Sequence, residues 1–174
     1  MACNITSSIA LDCMDSLGGL KTAYILSGDI TSVSETAGEI TDIVGTGSFY
    51  EFALAKDTAF YNESINVSNV NGSVFYQGEL TIVLQKMSAA KRNQILLLAQ
   101  NRDLKIAFED NNGVTYIAGL SRGMVVSSGT AASGTAVADL NGYTLVFQSQ
   151  EPKSAGILEG SLADAVTGIA IVAA

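Results

Sequence analysis

The chain has 174 residues, enough for about one domain whose single core hides roughly 70% of the unfolded surface. It is 48% hydrophobic and 15% charged, with no histidine and no tryptophan, which excludes imidazole bases, histidine metal ligands, the Ser-His-Asp triad and an indole platform for sugars. The net charge of -8 lies in the first half: residues 1–85 hold Lys21 and Lys56 against ten acids, residues 86–174 hold seven of each sign, and such a balance disfavours tight binding to a phosphate backbone.

The start shows no basic region followed by an apolar run, so no secretory signal is expected and the chain is expected to be made in the cytoplasm. Cys3 and Cys13 form no CxxC pair and read as reduced thiols. Weak strands are predicted at Leu20–Leu26 and Glu39–Val44, and Gly45-Thr46-Gly47 lacks the third glycine and the Lys-Ser/Thr pair of a phosphate loop. Alternation then places Tyr50, Phe52 and Leu54 on one face, and Tyr61, Ile65 and Val67 opposite Asn62, Ser64 and Asn66. It draws Tyr50, Tyr61 and Tyr76 into the core. Asn71-Gly72 marks a hairpin into the clearest strand, 74–85, with Val74, Tyr76, Leu80, Ile82 and Leu84 on its apolar side.

From Ser88 to Asn101 there is no Gly, Pro, Thr or Val, and the composition predicts the one helix, capped by Ser88 and Asn101. Ile95, Leu98 and Ala99, followed by Arg102, form its candidate core stripe. Beyond it come a strand at Leu104, Ile106 and Phe108, a turn at Asp110–Gly113, a strand at Val114, Tyr116 and Ala118, a weaker strand at Met124–Ser127 and a last one at Tyr143, Leu145 and Phe147. The small-residue stretch Ser127–Asn141 suits an exposed loop or a loosely held strand. Glu159 and Asp164 interrupt the apolar tail Ala155–Ala174, so it is not expected to cross a membrane. The fold expected is mainly β, a β-sandwich or half-barrel with a single flanking α-helix, in one domain over 1–174.

No spacing selects catalytic or metal-binding residues: Asp12, Asp15, Glu35, Glu39 and Asp42 read as solvated acids, and neither an enzyme nor a cofactor is expected. Two features point instead to self-association. Lys86, Lys91 and Arg92 lie at the start of the predicted helix, where the macrodipole disfavours cations. They form either a solvated helix end or a turn that meets carboxylates of a neighbouring subunit. The face bearing Asn62, Ser64, Asn66, Gln77 and Thr81 has few cations, and long uncharged strand edges invite pairing with other chains. Copies joined edge to edge in a ring would bury those edges around a polar inner wall. If that wall bears Glu51, Glu63 and Glu79, it repels phosphate polyanions.

From Gly78 to Pro152 the elements GELTIVLQ, SAAKRNQILLLAQNRD, LKIAFED, NNG, VTYIAGLSRG, SGTAASGTAVADLNG and GYTLVFQSQEP resemble in order the major tail tube proteins of tailed bacteriophages. The run ALDCMDSLGGLKTAYIL looks like the opening of small virion proteins of Bacteroidetes phages. The resemblance implies hexameric rings whose inner strands close into a barrel, stacked into a virion tail tube that conducts DNA during genome ejection, with other phage tail proteins as partners and no cofactor. It also implies contacts between subunits or rings at an N-terminal arm (1–19), a loop near Glu35–Gly47 and a C-terminal arm (155–174). The Cys-containing start and the apolar tail depart from the pattern, which leaves a head decoration or tail terminator protein as the alternative. A β-rich extracellular sugar-binding module fits less well, because the aromatic platform and the signal peptide are missing.

Overall fold

Alternation in the sequence becomes strand along most of the chain. The computed structural model describes residue 5, residues 7–11 and residues 13–174, and it is mainly β, with 54% of residues in strands and 7% in a single helix. In order the elements are β1 (Leu20–Thr36), β2 (Glu39–Ala53), β3 (Phe60–Ser68), β4 (Ser73–Gln85), α1 (Ala89–Gln100), β5 (Ile106–Asp110), β6 (Thr115–Ala118), β7 (Met124–Ala132), β8 (Gly142–Glu151), β9 (Gly156–Leu158), β10 (Val166–Thr167) and β11 (Ala170–Val172).

The strands form two sheets. In the first, β1 pairs with both β2 and β5, and the path β1-β5-β6-β9-β2 returns to β1, so the hydrogen-bonded pairings close on themselves as in a small barrel. The second is an open antiparallel sheet in the order β3-β4-β8-β7. Ala23, Ile25, Ile106 and Phe108 from the first meet Leu80, Ile82, Leu145 and Phe147 from the second in a buried core. Successive side chains of a strand point to opposite faces, so Leu26, Ala107 and Ile117 turn the other way, into a second cluster with Phe49, Leu158, Leu162 and Ile169.

The chain from 156 onward lines up in parallel along β2, through β9, β10 and β11 in turn. Leu158, Leu162, Ala165 and Ile169 are buried there, so the expected C-terminal arm is part of the fold, held because its apolar side chains seal the second cluster. The expected loop over 35–47 is likewise a strand hairpin. β1 and β2 are 17 and 15 residues long, and Ala37 and Gly38, with φ of 55° and 94°, turn between them. Positive φ at both central residues matches the right-handed twist of the flanking strands.

Gly45 and Gly47 therefore sit inside β2 rather than in a phosphate loop. Gly47 pairs with Gly28 across the hairpin, and a Cβ on it would lie 2.2 Å from the carbonyl oxygen of Ser27. The glycines are there because the two backbones approach too closely for any side chain.

α1 begins and ends within a residue of expectation. The Ser88 hydroxyl accepts from the Lys91 amide at 3.3 Å, and the Asn101 amide donates to the Leu97 and Leu98 carbonyls at 3.2 Å. Its packing differs from the predicted stripe: Leu98 is buried and Ile95 half-buried, but Ala99 and Arg102 are exposed, as are Leu96 and Leu97. One narrow line of a short helix touches the sheets, and the rest of its apolar surface has no cover.

Candidate functional site

The pairing register places Phe60, Asn62, Ser64 and Asn66 of β3 beside Thr81, Glu79, Gln77 and Phe75 of β4. Gln150, Gln148, Val146 and Thr144 of β8 continue the same face, followed by Val125, Ser128 and Thr130 of β7. These residues alternate with the core residues Leu80, Ile82, Leu145 and Phe147, so together they form the outer face of the sandwich. Across all four strands Glu79 is the one charged side chain on that face, and its carboxylate accepts from the Gln148 amide at 2.9 Å. Arg122, on the turn before β7, stands at one end of the face beside Gln77 and Gln150. β3 and β7, each nine residues long, are the two ends of the sheet and pair with no further strand among the described residues, though Met124 at the start of β7 bridges to Leu104 through both of its backbone groups.

The three candidate lining acids do not share this wall. Glu63 falls on the core side of β3, where it accepts from the Tyr61 hydroxyl at 2.8 Å, the Ser154 hydroxyl at 2.5 Å and the Ala155 amide at 2.9 Å. Burial, and then the neighbouring Glu63 carboxylate, push the Tyr61 hydroxyl far above its ordinary pKa, so it stays a donor. Glu51 belongs to the other sheet and accepts from the Ala174 amide at 3.2 Å. Glu63 shares the parity of Tyr61 and Ile65, which alternation places opposite Asn62, Ser64 and Asn66, so its side is readable locally; for Glu51 parity carries no information on which sheet the strand joins.

The three basic residues do cluster. Lys86 holds a left-handed φ of 63° between β4 and α1, its amide donating to the Asn141 carbonyl at 2.6 Å. The Lys91 ammonium donates to the Gln85 carbonyl, and Arg92 is exposed. None of the three has a carboxylate partner among the described residues. Lys86 and Lys91 border a groove of about 1170 Å³ between α1 and the ends of β2 and β4, lined by Phe52, Leu54, Ile95 and Leu98. Tyr50 also lines it and is 46% exposed, against the expectation of a core position. Tyr61 and Tyr76 are half-buried.

Exposed apolar side chains gather in two further places. Ile65, Val67 and Val74, near the tip of the β3–β4 hairpin, have the parity of the core, yet are half or more exposed. Ile5, Ile9, Leu11 and Met14 of the N-terminal arm, which has no helix or strand among its described residues, are at least 94% exposed. Cys3 and Asp12 lie outside the described residues; Cys13 is a free, exposed thiol.

One further carboxylate organises this end of the fold, and no spacing in the sequence marks it. Glu151, buried at the end of β8, accepts from the Ser121 and Arg122 amides at 3.0 and 2.8 Å and so ties the β6–β7 turn to the outer sheet. Glu151→Ala leaves both donors unpaired and is expected to cost about 2–3 kcal/mol, with Glu151→Gln, which keeps one acceptor, near half of that. Urea unfolding of both variants checks the order.

Among the described residues no three His, Cys, Asp or Glu side chains converge as a metal site would require, and no helix is long and apolar enough to cross a membrane. Comparison with protein-family models, curated proteins and solved structures finds no match to this chain.

Proposed function

We propose that the chain is a structural subunit of a bacteriophage tail tube, which closes into rings by joining β3 of one copy to β7 of the next and stacks those rings around a channel for DNA. The observation that carries this reading is the outer face of the β3-β4-β8-β7 sheet: an edge free along β3, an edge free along β7 beyond the bridge of Met124 to Leu104, and between them a surface of amides, hydroxyls and a few apolar side chains whose one charge is Glu79. Edge pairing satisfies the backbone groups that a lone copy leaves to water. A wall with no lysine or arginine on its strands offers phosphates no counterion to displace, so DNA passes without being held. The chain's net charge of -8 adds a weak long-range repulsion. The exposed Ile65, Val67 and Val74 at the hairpin tip provide an apolar contact from ring to ring. The role is architectural, without a chemical step or a cofactor.

Negative-stain microscopy over a range of concentration and salt tests this directly: hollow, uniform cylinders are expected. Small trimers or single rings that never stack would favour a head decoration or tail terminator protein, and a monomer under every condition would overturn self-assembly. The wall has its own test. Tubes of the Gln77→Lys, Gln148→Lys double variant should retain labelled duplex DNA about tenfold or more above wild type at low salt, with the difference vanishing as salt rises. Equal retention by the two would show that this face does not line the channel.

A further inference from the structure

The apolar N-terminal arm and the groove beside α1 are both uncovered in the single chain, and they complement each other. Ile9, Leu11 and Met14 are between 99% and 106% exposed, so among the described residues none covers them. The arm is nevertheless anchored at its base: the Leu17 amide donates to the Asn112 side-chain oxygen at 2.7 Å, and the Asn112 and Asn111 side chains donate to the Leu17 and Gly18 carbonyls at 2.9 and 2.6 Å. Those asparagines lie on the turn after β5, whereas the groove is bordered by Leu104, just before β5 begins. The arm thus leaves the fold at the far end of that strand from its own groove.

We infer that the arm of one copy lies in the α1 groove of a neighbouring copy, its apolar side chains against Leu54, Ile95 and Leu97 and its acids at Lys86 and Lys91. Charge and length both support this occupant. Asp12 and Asp15 are the only charged side chains in residues 1–20, and Lys86 and Lys91 are two cations on the groove without carboxylate partners among the described residues, while Glu51, the one acidic side chain of the lining, accepts from the Ala174 amide. Carboxylates seated there also meet the positive end of α1, which relieves the unfavourable placement of the lysines. An extended Ile9–Asp15 segment spans about 20 Å, close to the roughly 18 Å of a twelve-residue helix. The acids then face the start of α1 and Ile9 its end. The inference rests on the chain being a self-assembling subunit, but not on which sheet edges meet.

The native Cys13 thiol makes it testable in the full-length chain. With Cys3→Ser to remove the other thiol, Ala90→Cys places a second thiol in the groove at the start of α1, where the acids that flank Cys13 are seated. Mild oxidation of the assembled protein should give a ladder of disulfide-linked species beyond the dimer, since each copy then carries one thiol in its arm and one in its groove. The Cys3→Ser parent can link only Cys13 to Cys13 and stops at dimers. Lys86→Glu with Lys91→Glu should cut the ladder about tenfold or more, and adding Asp12→Lys with Asp15→Lys should restore it. Rings or tubes seen by microscopy with no ladder would overturn the arm exchange and leave the tube reading standing. A faster-migrating, internally linked monomer would overturn it in favour of self-docking, and an unlinked monomer without particles would end both readings.

Discussion

Phe108→Ala is expected to destabilise the fold by about 3–5 kcal/mol, the cost of truncating a buried aromatic ring in a site that cannot collapse around the void. The ring is 2% exposed on β5 and joins the two sheets: its centroid lies 4.6 Å from that of Tyr61 on β3 and 5.6 Å from that of Tyr116 on β6. Removing it leaves a cavity and loses two aromatic pairs, each worth about 0.5–1.5 kcal/mol beyond area burial. The Tyr61 hydroxyl is fixed by Glu63, which also holds Ser154 and Ala155, so Tyr61 is not free to swing into the space. The midpoint of thermal unfolding should fall by roughly 10 °C. Phe108→Leu, which refills most of the volume, should cost about 1.5 kcal/mol or less. A loss below about 1 kcal/mol for the alanine variant would mean that the sheets are held together elsewhere.

Gly47→Val should be at least as damaging, for a backbone reason. Gly47 has a φ of 105°, a region a β-branched residue adopts only under strain, at a cost of about 1–3 kcal/mol. Its Cβ would also lie 2.2 Å from the Ser27 carbonyl oxygen and 2.7 Å from the Gly28 Cα, both backbone atoms that cannot rotate away. β1 and β2 are paired along almost their whole length, so parting them here disturbs the strands that frame the second cluster. The combined loss is expected to exceed about 4 kcal/mol, in the range diagnostic of a special backbone site. Gly38→Ala is the control. Its φ of 94° is similar, but nothing lies within 4 Å of the added Cβ, so the conformational cost of about 1–2 kcal/mol stands alone. Equal urea midpoints for the two variants would remove the close-approach explanation.

These two sites differ in how far the sequence reveals them. Phe108 is legible, because it alternates with Ala107 and Glu109 ahead of an Asp-Asn-Asn-Gly turn, and the structure pairs β5 with β6 across that turn. Gly47 reads there as part of a poor phosphate loop. Glycine is informative only once the opposing backbone is known, and Gly28 lies nineteen positions away. The same distinction separates the candidate residues. Asn62, Ser64, Asn66, Gln77 and Thr81 share a face as expected, since parity along a hairpin is a local property. Glu51 does not join Glu79 because parity does not say which sheet a strand enters, whereas Glu63 has the parity of Tyr61 and Ile65 and so lies on the core side of the same sheet, a local fact the alternation already carried.

Local chemistry was sufficient for the mainly β character, for the bounds and cap of α1, for β4 and for the β5–β6 turn, because each is set by contacts within a few residues. Folding settled three other matters: that β1 and β2 run long through their glycines, that the tail from 156 seals the second cluster, and that Ile65, Val67, Leu96, Leu97 and the arm are uncovered. A repeat of two or of 3.6 residues tells which side of an element is apolar. Whether another element arrives to cover that side depends on groups distant in the chain, and among the described residues none does so for Ile9, Leu11 and Met14 of the arm or for the hairpin tip.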